Sequence, residues 1–393
     1  MKILIAHNHY GDYAIGGEAT VMKAEVDLLR SHGHNVFVYE RTNAELNKQN
    51  VFSKAYSTLN YTWSKKSYNE IQKILKKFKP DVFHLHNYKW LFTPSVFAAA
   101  KDLNIPTIHT LHNYWMAAPC ASLMKYGKIC ELCLEKNNPK YILKYRCRKE
   151  GSIVSSLINY KYFHSITKRN KLSDIVDIYI SLTDFSKNKF IQAGIPEGQI
   201  VVKPNFITDP LKEISVSNQG YALFVGRLSY EKGIDFLINA WENIDFPLKI
   251  VGDGPRRKKV TTANKNIEFL GWKNQKEVYK LLANSSFFVF PSLLYEGFPI
   301  SLLEAMAMGK PIIASDLGSR SEMIQHEKTG LLFDVDSQND FIEKCNWIIA
   351  NKEKAEQIGK KARTRYLDKY NPESNYMQLI DIYKSVINHN KIK

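Results

Sequence analysis

Short β-branched or aromatic runs alternate with helix-patterned stretches along nearly the whole chain, and the series occurs twice. In the first half the runs are Ile3 to Ala6, Val36 to Tyr39, Val82 to Leu85, Thr107 to Leu111 and Ile178 to Ser181. In the second they are Ala222 to Val225, Leu248 to Val251, Ile267 to Leu270, Phe287 to Phe290, Pro311 to Ser315 and Leu331 to Phe333. Strands that return parallel need crossovers of a dozen or more residues, usually helical, so the alternation is the sequence form of repeated βαβ units. It predicts an α/β chain of two Rossmann-like domains. The periodicity lapses between Asp209 and Gly220, which gives a first domain over 1–208, a second over 209–370, and a C-terminal helix over 371–393 packing back toward the first. At 393 residues the chain also exceeds what one core usually organises. Two lobes imply a cleft, and ligands of such sheets bind at the carboxyl ends of the strands. The informative residues are therefore those just after strands.

Charge narrows the partners without choosing one. Lys and Arg number 55 against 39 Asp and Glu, a formal charge of +16, which suits nucleic acid, anionic lipid or phosphorylated substrates. The basic runs Lys73 to Lys79, Lys140 to Lys149 and Arg256 to Lys259 read equally well as solvated faces. No apolar run approaches the ~18 residues of a membrane span. The opening Met1-Lys-Ile-Leu-Ile-Ala-His-Asn reads as a strand entering a loop, too short for a secretion signal, so a cytoplasmic location is expected. Five cysteines then argue for reduced thiols or a metal site. Cys120, Cys130, Cys133 and Cys147 form a candidate structural zinc set that would tie down a long loop, and the same four also read as free thiols packed as small apolar groups.

In the second half, Pro291-Ser-Leu-Leu-Tyr-Glu296-Gly-Phe-Pro299 follows a strand and leads into the helical run Ile300 to Met308. Pro299 suits the first helical position and Gly309 the left-handed stop. The free amides of the first turn favour an anion, phosphate above all. Glu296 before the helix and Glu304 in its second turn suit hydroxyl groups. A ligand with hydroxyls on both sides of a diphosphate is a nucleotide sugar. On spacing alone, Glu296 also reads as a helix cap and Glu304 as a surface residue. Upstream, Gly226-Arg227-Leu-Ser-Tyr-Glu-Lys232-Gly233 sets two cations after a strand, able to neutralise a diphosphate leaving group or to form surface salt bridges. Val251-Gly-Asp-Gly-Pro255 reads as a tight turn, and Asp334-Val-Asp336 as loop structure rather than a metal motif.

Glu296-x7-Glu304, continued as Ala-Met-Ala-Met-Gly-Lys-Pro-Ile-Ile-Ala-Ser-Asp-Leu-Gly and then Glu322, resembles the C-terminal signature of the family-4 retaining glycosyltransferases of the GT-B fold. The block around Arg227 and Lys232 resembles the same family's phosphate-binding motif. The resemblance implies that Glu296, Gly297 and Phe298 contact the donor sugar, with Pro299 and Ile300 beside them. It implies that Glu304 binds the ribose hydroxyls and that Arg227 and Lys232 bind the donor phosphates.

In the first half, Gly16 and Gly17 open a helix after the first strand, where paired glycines let a backbone approach a ligand. The stretch from Gly16 to Gly33 and His34 is similar to the family's opening. The histidines singled out in this half are His7, His9, His84, His86, His109 and His112, and the usual fate of such a residue is burial with a hydrogen bond. His112 aligns with the family's active-site histidine; His109, His86, Asn205 and Glu322 are secondary candidates. Phe206 stands where the family commonly has glycine after Asn205, a departure that leaves hinge placement.

The resemblance implies a hexosyl- or N-acetylhexosaminyl-type transfer from a nucleoside-diphosphate sugar, retaining, with no catalytic metal. Basicity adds the expectation of a peripheral enzyme at the inner membrane face, working on a lipid-linked or oligosaccharide acceptor in surface polysaccharide synthesis, with nucleic acid an unlikely partner. The alternative is a non-catalytic basic scaffold on membrane or nucleic acid, which would have no use for Glu296 and Glu304.

Overall fold

The computed structural model describes residues 1–10, 17–48, 60–147, 151–169, 172–212, 214–215, 217–261 and 265–392. Two compact units divide the chain: Met1–Leu123, Cys130–Asn205 and Asn375–Lys393 form the first, and Met124–Ile129 with Phe206–Ser374 form the second. No described helix is long and apolar enough to cross a membrane.

The strands in chain order are β1 (Lys2–His9), β2 (Asn35–Thr42), β3 (Val82–Asn87), β4 (Thr107–Leu111), the short hairpin β5 (Met124–Lys125) and β6 (Lys128–Ile129), β7 (Ile178–Ser181) and β8 (Ile200–Val202). The first unit's sheet is parallel, in the order β2-β1-β3-β4-β7-β8. Ile3, Leu4 and Ile5 are fully buried, as a parallel strand covered on both faces requires. The helix Gly17–Ser31 buries Val21, Met22, Val26 and Leu29 at helical spacing. It stops at Gly33, whose φ of +77° lets the amides of Gly33 and His34 turn back to Arg30 and Leu29. From the far end of the sequence, the helix Pro372–Ile392 adds Leu379, Ile380, Tyr383 and Val386 to the core around Ile3, Ile5, Met22, Val82 and Ile180.

Two differences from the sequence reading concern this sheet. β1 does not give way to a loop at His7 but runs on to His9, with His7, Asn8 and His9 buried. Polar side chains can continue the strand because partners wait for them: His9 pairs with Glu40 at 2.8 Å, and Asn8 donates to the Lys89 carbonyl at 2.7 Å. β8, only three residues long, falls below what alternation reveals.

The second unit repeats the architecture with β9 (Ala222–Val225), β10 (Leu248–Val251), β11 (Ile267–Gly271), β12 (Phe287–Phe290), β13 (Ile312–Ser315) and β14 (Leu331–Phe333). Their order is β11-β10-β9-β12-β13-β14, again parallel. Trp241 fills the core beside Phe287 and Phe341, and its indole N–H reaches the Phe246 carbonyl at 2.7 Å. The Asp334 to Asp336 segment is a turn: the Asp336 amide donates to the Asp334 carboxylate and the Asp334 amide to Asp340.

Candidate active site

In the second sheet the chain leaves β9 toward β10 on one side and β12 toward β13 on the other. The loops after β9 and β12 therefore diverge and open a crevice at the carboxyl edge. These are the loops that carry Arg227, Lys232 and Glu296. Their backbones are in contact, and only glycine permits it. Gly233 has φ +74°, and a Cβ there would lie 1.9 Å from the Pro291 carbonyl oxygen. Gly252, after β10, has φ +142°, and a Cβ would meet the Gly226 carbonyl oxygen at 1.8 Å.

Lys232, next to Gly233, puts its Nζ 2.6 Å from Glu296 Oε1, which also accepts from Ser292 Oγ at 2.7 Å. Burial works to raise the Glu296 pKa, but the Lys232 ammonium and the Arg320 guanidinium outweigh it and hold the carboxyl below its ordinary range. Arg227 is exposed, and its guanidinium has no partner among the described residues. Lys232 is thus shared with Glu296, whereas Arg227 keeps its guanidinium exposed. Arg320, which sequence reasoning missed, is fully buried and donates to the carbonyls of Ser315, Leu294 and Ser292, fixing the Glu296 loop. An arginine in a polar stretch gives no sequence signal of that burial.

The helix Ile300–Ala307 begins one residue later than the sequence suggests. Pro299 is the residue before its first turn, in extended conformation, and the first-turn amides of Ile300, Ser301 and Leu302 have no acceptor within the helix. Gly309, at φ +65°, stops the helix as expected. Gly297 is half-buried in the approach. Phe298 is buried and packs edge-on against Tyr370. Glu304 is not a surface residue: it is buried, with Gln275 Nε2 at 3.4 Å, and burial pushes its pKa up to about 7. Glu322 is half-buried in the short helix Ser319–Met323, where its carbonyl accepts from Arg365. A cavity of about 280 Å³ opens at the opposite sheet edge, by Ser286, Phe287 and Pro311, away from every one of these groups.

In the first unit the order reverses between β1 and β3. Gly16 lies outside the described residues, and Gly17 is the first residue of its helix. His112 follows β4 and its Nε2 lies 3.1 Å from His86 Nδ1, the two rings stacked. Burial, with other histidines and Lys203 nearby, holds both well below the ordinary histidine range. His109 Nδ1 donates to the Leu85 carbonyl at 2.9 Å, a contact that makes Nδ1 the protonated nitrogen. It packs among Tyr88, Phe97 and Tyr179 with a pKa lowered by burial to about 4, which makes it a structural residue. Asn205 is buried at the end of this unit. Sequence reasoning missed Glu25 and Lys203, buried 3.1 Å apart beside His86. It also passed over Glu18, whose pKa is raised by burial to about 7 and which accepts from Asn113.

Burial pushes the Cys133 thiol up to about 12, and the neighbouring Cys120, Cys147 and Cys130 add to the shift, so the four thiols share one neighbourhood. The ligand-type atoms that converge within 4.8 Å among the described residues are instead those of Glu25, His84 and His86.

Two family models divide the chain between them: Glycosyltransferase Family 4 matches residues 15–209, and Glycosyl transferases group 1 matches residues 208–365. The chain belongs to the family 4 glycosyltransferases. An uncharacterised glycosyltransferase of Methanocaldococcus jannaschii is 32% identical over 245 residues, 60% of this chain and 66% of that protein. The O-antigen chain mannosyltransferase C of Escherichia coli is 28% identical over 174 residues, 42% of this chain and 47% of that protein. Among solved structures, Anabaena HepE in complex with UDP-glucose superposes with a TM-score of 0.67 at 18% identity, covering 98% of this chain and all of that one. The two parallel sheets are those of the GT-B fold.

The raised Glu304 pKa gives this glycosyltransferase a pH-dependent stability. Its folded value of about 7 lies above the ordinary 4.5, so the folded chain holds a proton that the unfolded chain releases. That contribution is complete below pH 4.5 and is lost as pH rises through 7. Glu304→Gln is therefore expected to raise the unfolding temperature at about pH 8 by more than at about pH 5, read by calorimetry. An equal effect at the two pH values would refute the shift.

Proposed function

We propose that this glycosyltransferase moves a sugar from a nucleoside-diphosphate donor to an acceptor hydroxyl with retention at the anomeric carbon. The observation that carries the reading is the pairing of Lys232 with Glu296, four residues before the helix start at Ile300, with Arg227 exposed in the loop that also carries Lys232. Arg227, Lys232 and the helix amides neutralise the diphosphate as the bond from the anomeric carbon to its oxygen breaks. The acceptor oxygen forms the new bond on the same face, and its proton passes to the departing phosphate oxygen. Glu296, held ionised by Lys232, binds sugar hydroxyls together with the backbone of Gly297 and Phe298. Glu304 binds the ribose hydroxyls, and His112 accepts from a substrate hydroxyl. No catalytic metal is invoked, because the cations and amides supply the charge that one would bring. The UDP-glucose bound by HepE supports the class of donor.

The acceptor is proposed to be a lipid-linked glycan of surface polysaccharide, met at the cytoplasmic face of the membrane. Its support is the +16 charge and the O-antigen activity named for the Escherichia coli relative. A non-catalytic scaffold is disfavoured by the burial of Glu304 and the ion-paired Glu296, both costly without a ligand to bind. The four cysteines are proposed to close around a structural zinc, their shared neighbourhood being the support.

Release of nucleoside diphosphate from a panel of nucleotide sugars tests the reaction. Lys232→Ala and Glu304→Ala should each lower turnover by a hundredfold or more, on the order of one lost electrostatic contact, with unchanged far-UV spectra. Full activity in both would refute the site. Cosedimentation with anionic vesicles should be strong at low salt and lost at high salt, and indifference to lipid charge would remove the membrane from the reading. Metal analysis of gently purified protein should find about one zinc per chain, and substoichiometric zinc would leave the cysteines as packed thiols.

A further inference from the structure

The helix Gly17–Ser31 turns its apolar stripe inward, yet Glu25, in the middle of that stripe, is a carboxylate only 1% exposed. A buried charge is costly unless compensated. Compensation comes from Lys203, whose Nζ lies 3.1 Å from Glu25 Oε1 and donates to Asn375 Oδ1 at 2.8 Å. The other carboxylate oxygen, Oε2, is 3.3 Å from His86 Nε2, a close contact short of hydrogen-bond alignment, and His86 Nε2 has no other partner among the described residues. His86 Nδ1 in turn meets His112 Nε2 at 3.1 Å. The result is a row, Lys203, Glu25, His86, His112, running from a buried ion pair to the histidine after β4.

The row does not read as a metal site. Although donor atoms of Glu25, His84 and His86 converge, both His84 nitrogens are already engaged, Nδ1 by the Tyr383 hydroxyl at 2.7 Å and Nε2 by Thr110 Oγ1 at 2.8 Å. The ammonium of Lys203 supplies the cation.

Hydrogen-bond directionality does the rest. Buried, and with His7, His84, His109 and Lys203 nearby, the imidazoles of His86 and His112 are neutral, and a neutral imidazole has one N–H and one lone pair. An ionised carboxylate only accepts, so the proton of His86 sits on Nε2, facing Glu25. Its Nδ1 then has only a lone pair to offer, and His112 must carry its own proton on Nε2 to meet it. The nitrogen left over on His112 is Nδ1, as an acceptor. We infer that Glu25 is a positioning residue, which fixes the tautomer of His112 through His86 so that His112 presents Nδ1 as a hydrogen-bond acceptor to a substrate hydroxyl. The hydroxyl rests on the proposed reaction; the tautomer does not.

The test reads protons directly. Two-bond nitrogen–proton spectra of the histidine rings, with His112 assigned by the signal lost in His112→Ala, should show wild-type His112 protonated at Nε2 alone. Wild-type His112 protonated at Nδ1 would overturn the inference without any further variant. In Glu25→Gln/Lys203→Met both charges go together, so neither is stranded, and the amide can donate or accept toward His86. His112 should then sample both tautomers, and turnover should fall roughly tenfold, while the thermal transition keeps its cooperativity. A double variant that keeps the single Nε2 tautomer would also overturn it. A lost tautomer lock in a protein that transfers no sugar would instead sink the reaction and leave the positioning role standing.

Discussion

Every strand of a parallel sheet must be followed by a crossover that returns the chain to its starting edge, so all the loops that leave the strands open on one side. That constraint governs both units. It gathers the loops after β9, β10 and β12 within backbone contact of one another, and it gathers the ends of β1, β3 and β4 in the first unit. Glycine at 233 and 252 is what lets carbonyl oxygens from neighbouring loops come so near. The crevice is thus a consequence of topology first, and of its charged residues second.

Those charged residues obey a common economy of pairing. Glu296 keeps Lys232 close, Arg320 donates to two carbonyls of the Glu296 loop and to that of Ser315 at the end of β13, and Glu25 keeps Lys203. In each case a group that water would otherwise solvate is held by a preformed partner, so little reorganisation is needed when a ligand enters. Glu304 is the exception. With only Gln275 and Tyr279 beside it, burial wins and its proton is held more tightly.

Much of this was legible in the sequence because it depends on local pattern. The strand runs, the stop at Gly309 and the placing of Lys232 and Glu296 in loops after strands all follow from periodicity and turn chemistry. What stayed hidden depends on distant partners. The polar end of β1 continues as strand only because Glu40 and the Lys89 carbonyl await it. Glu25 occupies an apolar helical position that nothing nearby in sequence explains, since Lys203 and His86 lie far along the chain. Pro299 differed by a single residue, within the ordinary fraying of a helix start.

The last helix has a consequence for how the chain comes to be folded at all. Leu379, Ile380, Tyr383 and Val386 complete a core whose other members, Ile3, Ile5, Met22, Val82 and Ile180 among them, are synthesised well before them. On the ribosome, the second unit's sheet, over 222–333, has emerged before those four side chains exist. The amino-terminal unit must therefore wait with an open apolar face while its successor finishes, a reversal of the usual order in which the first domain made is the first to close.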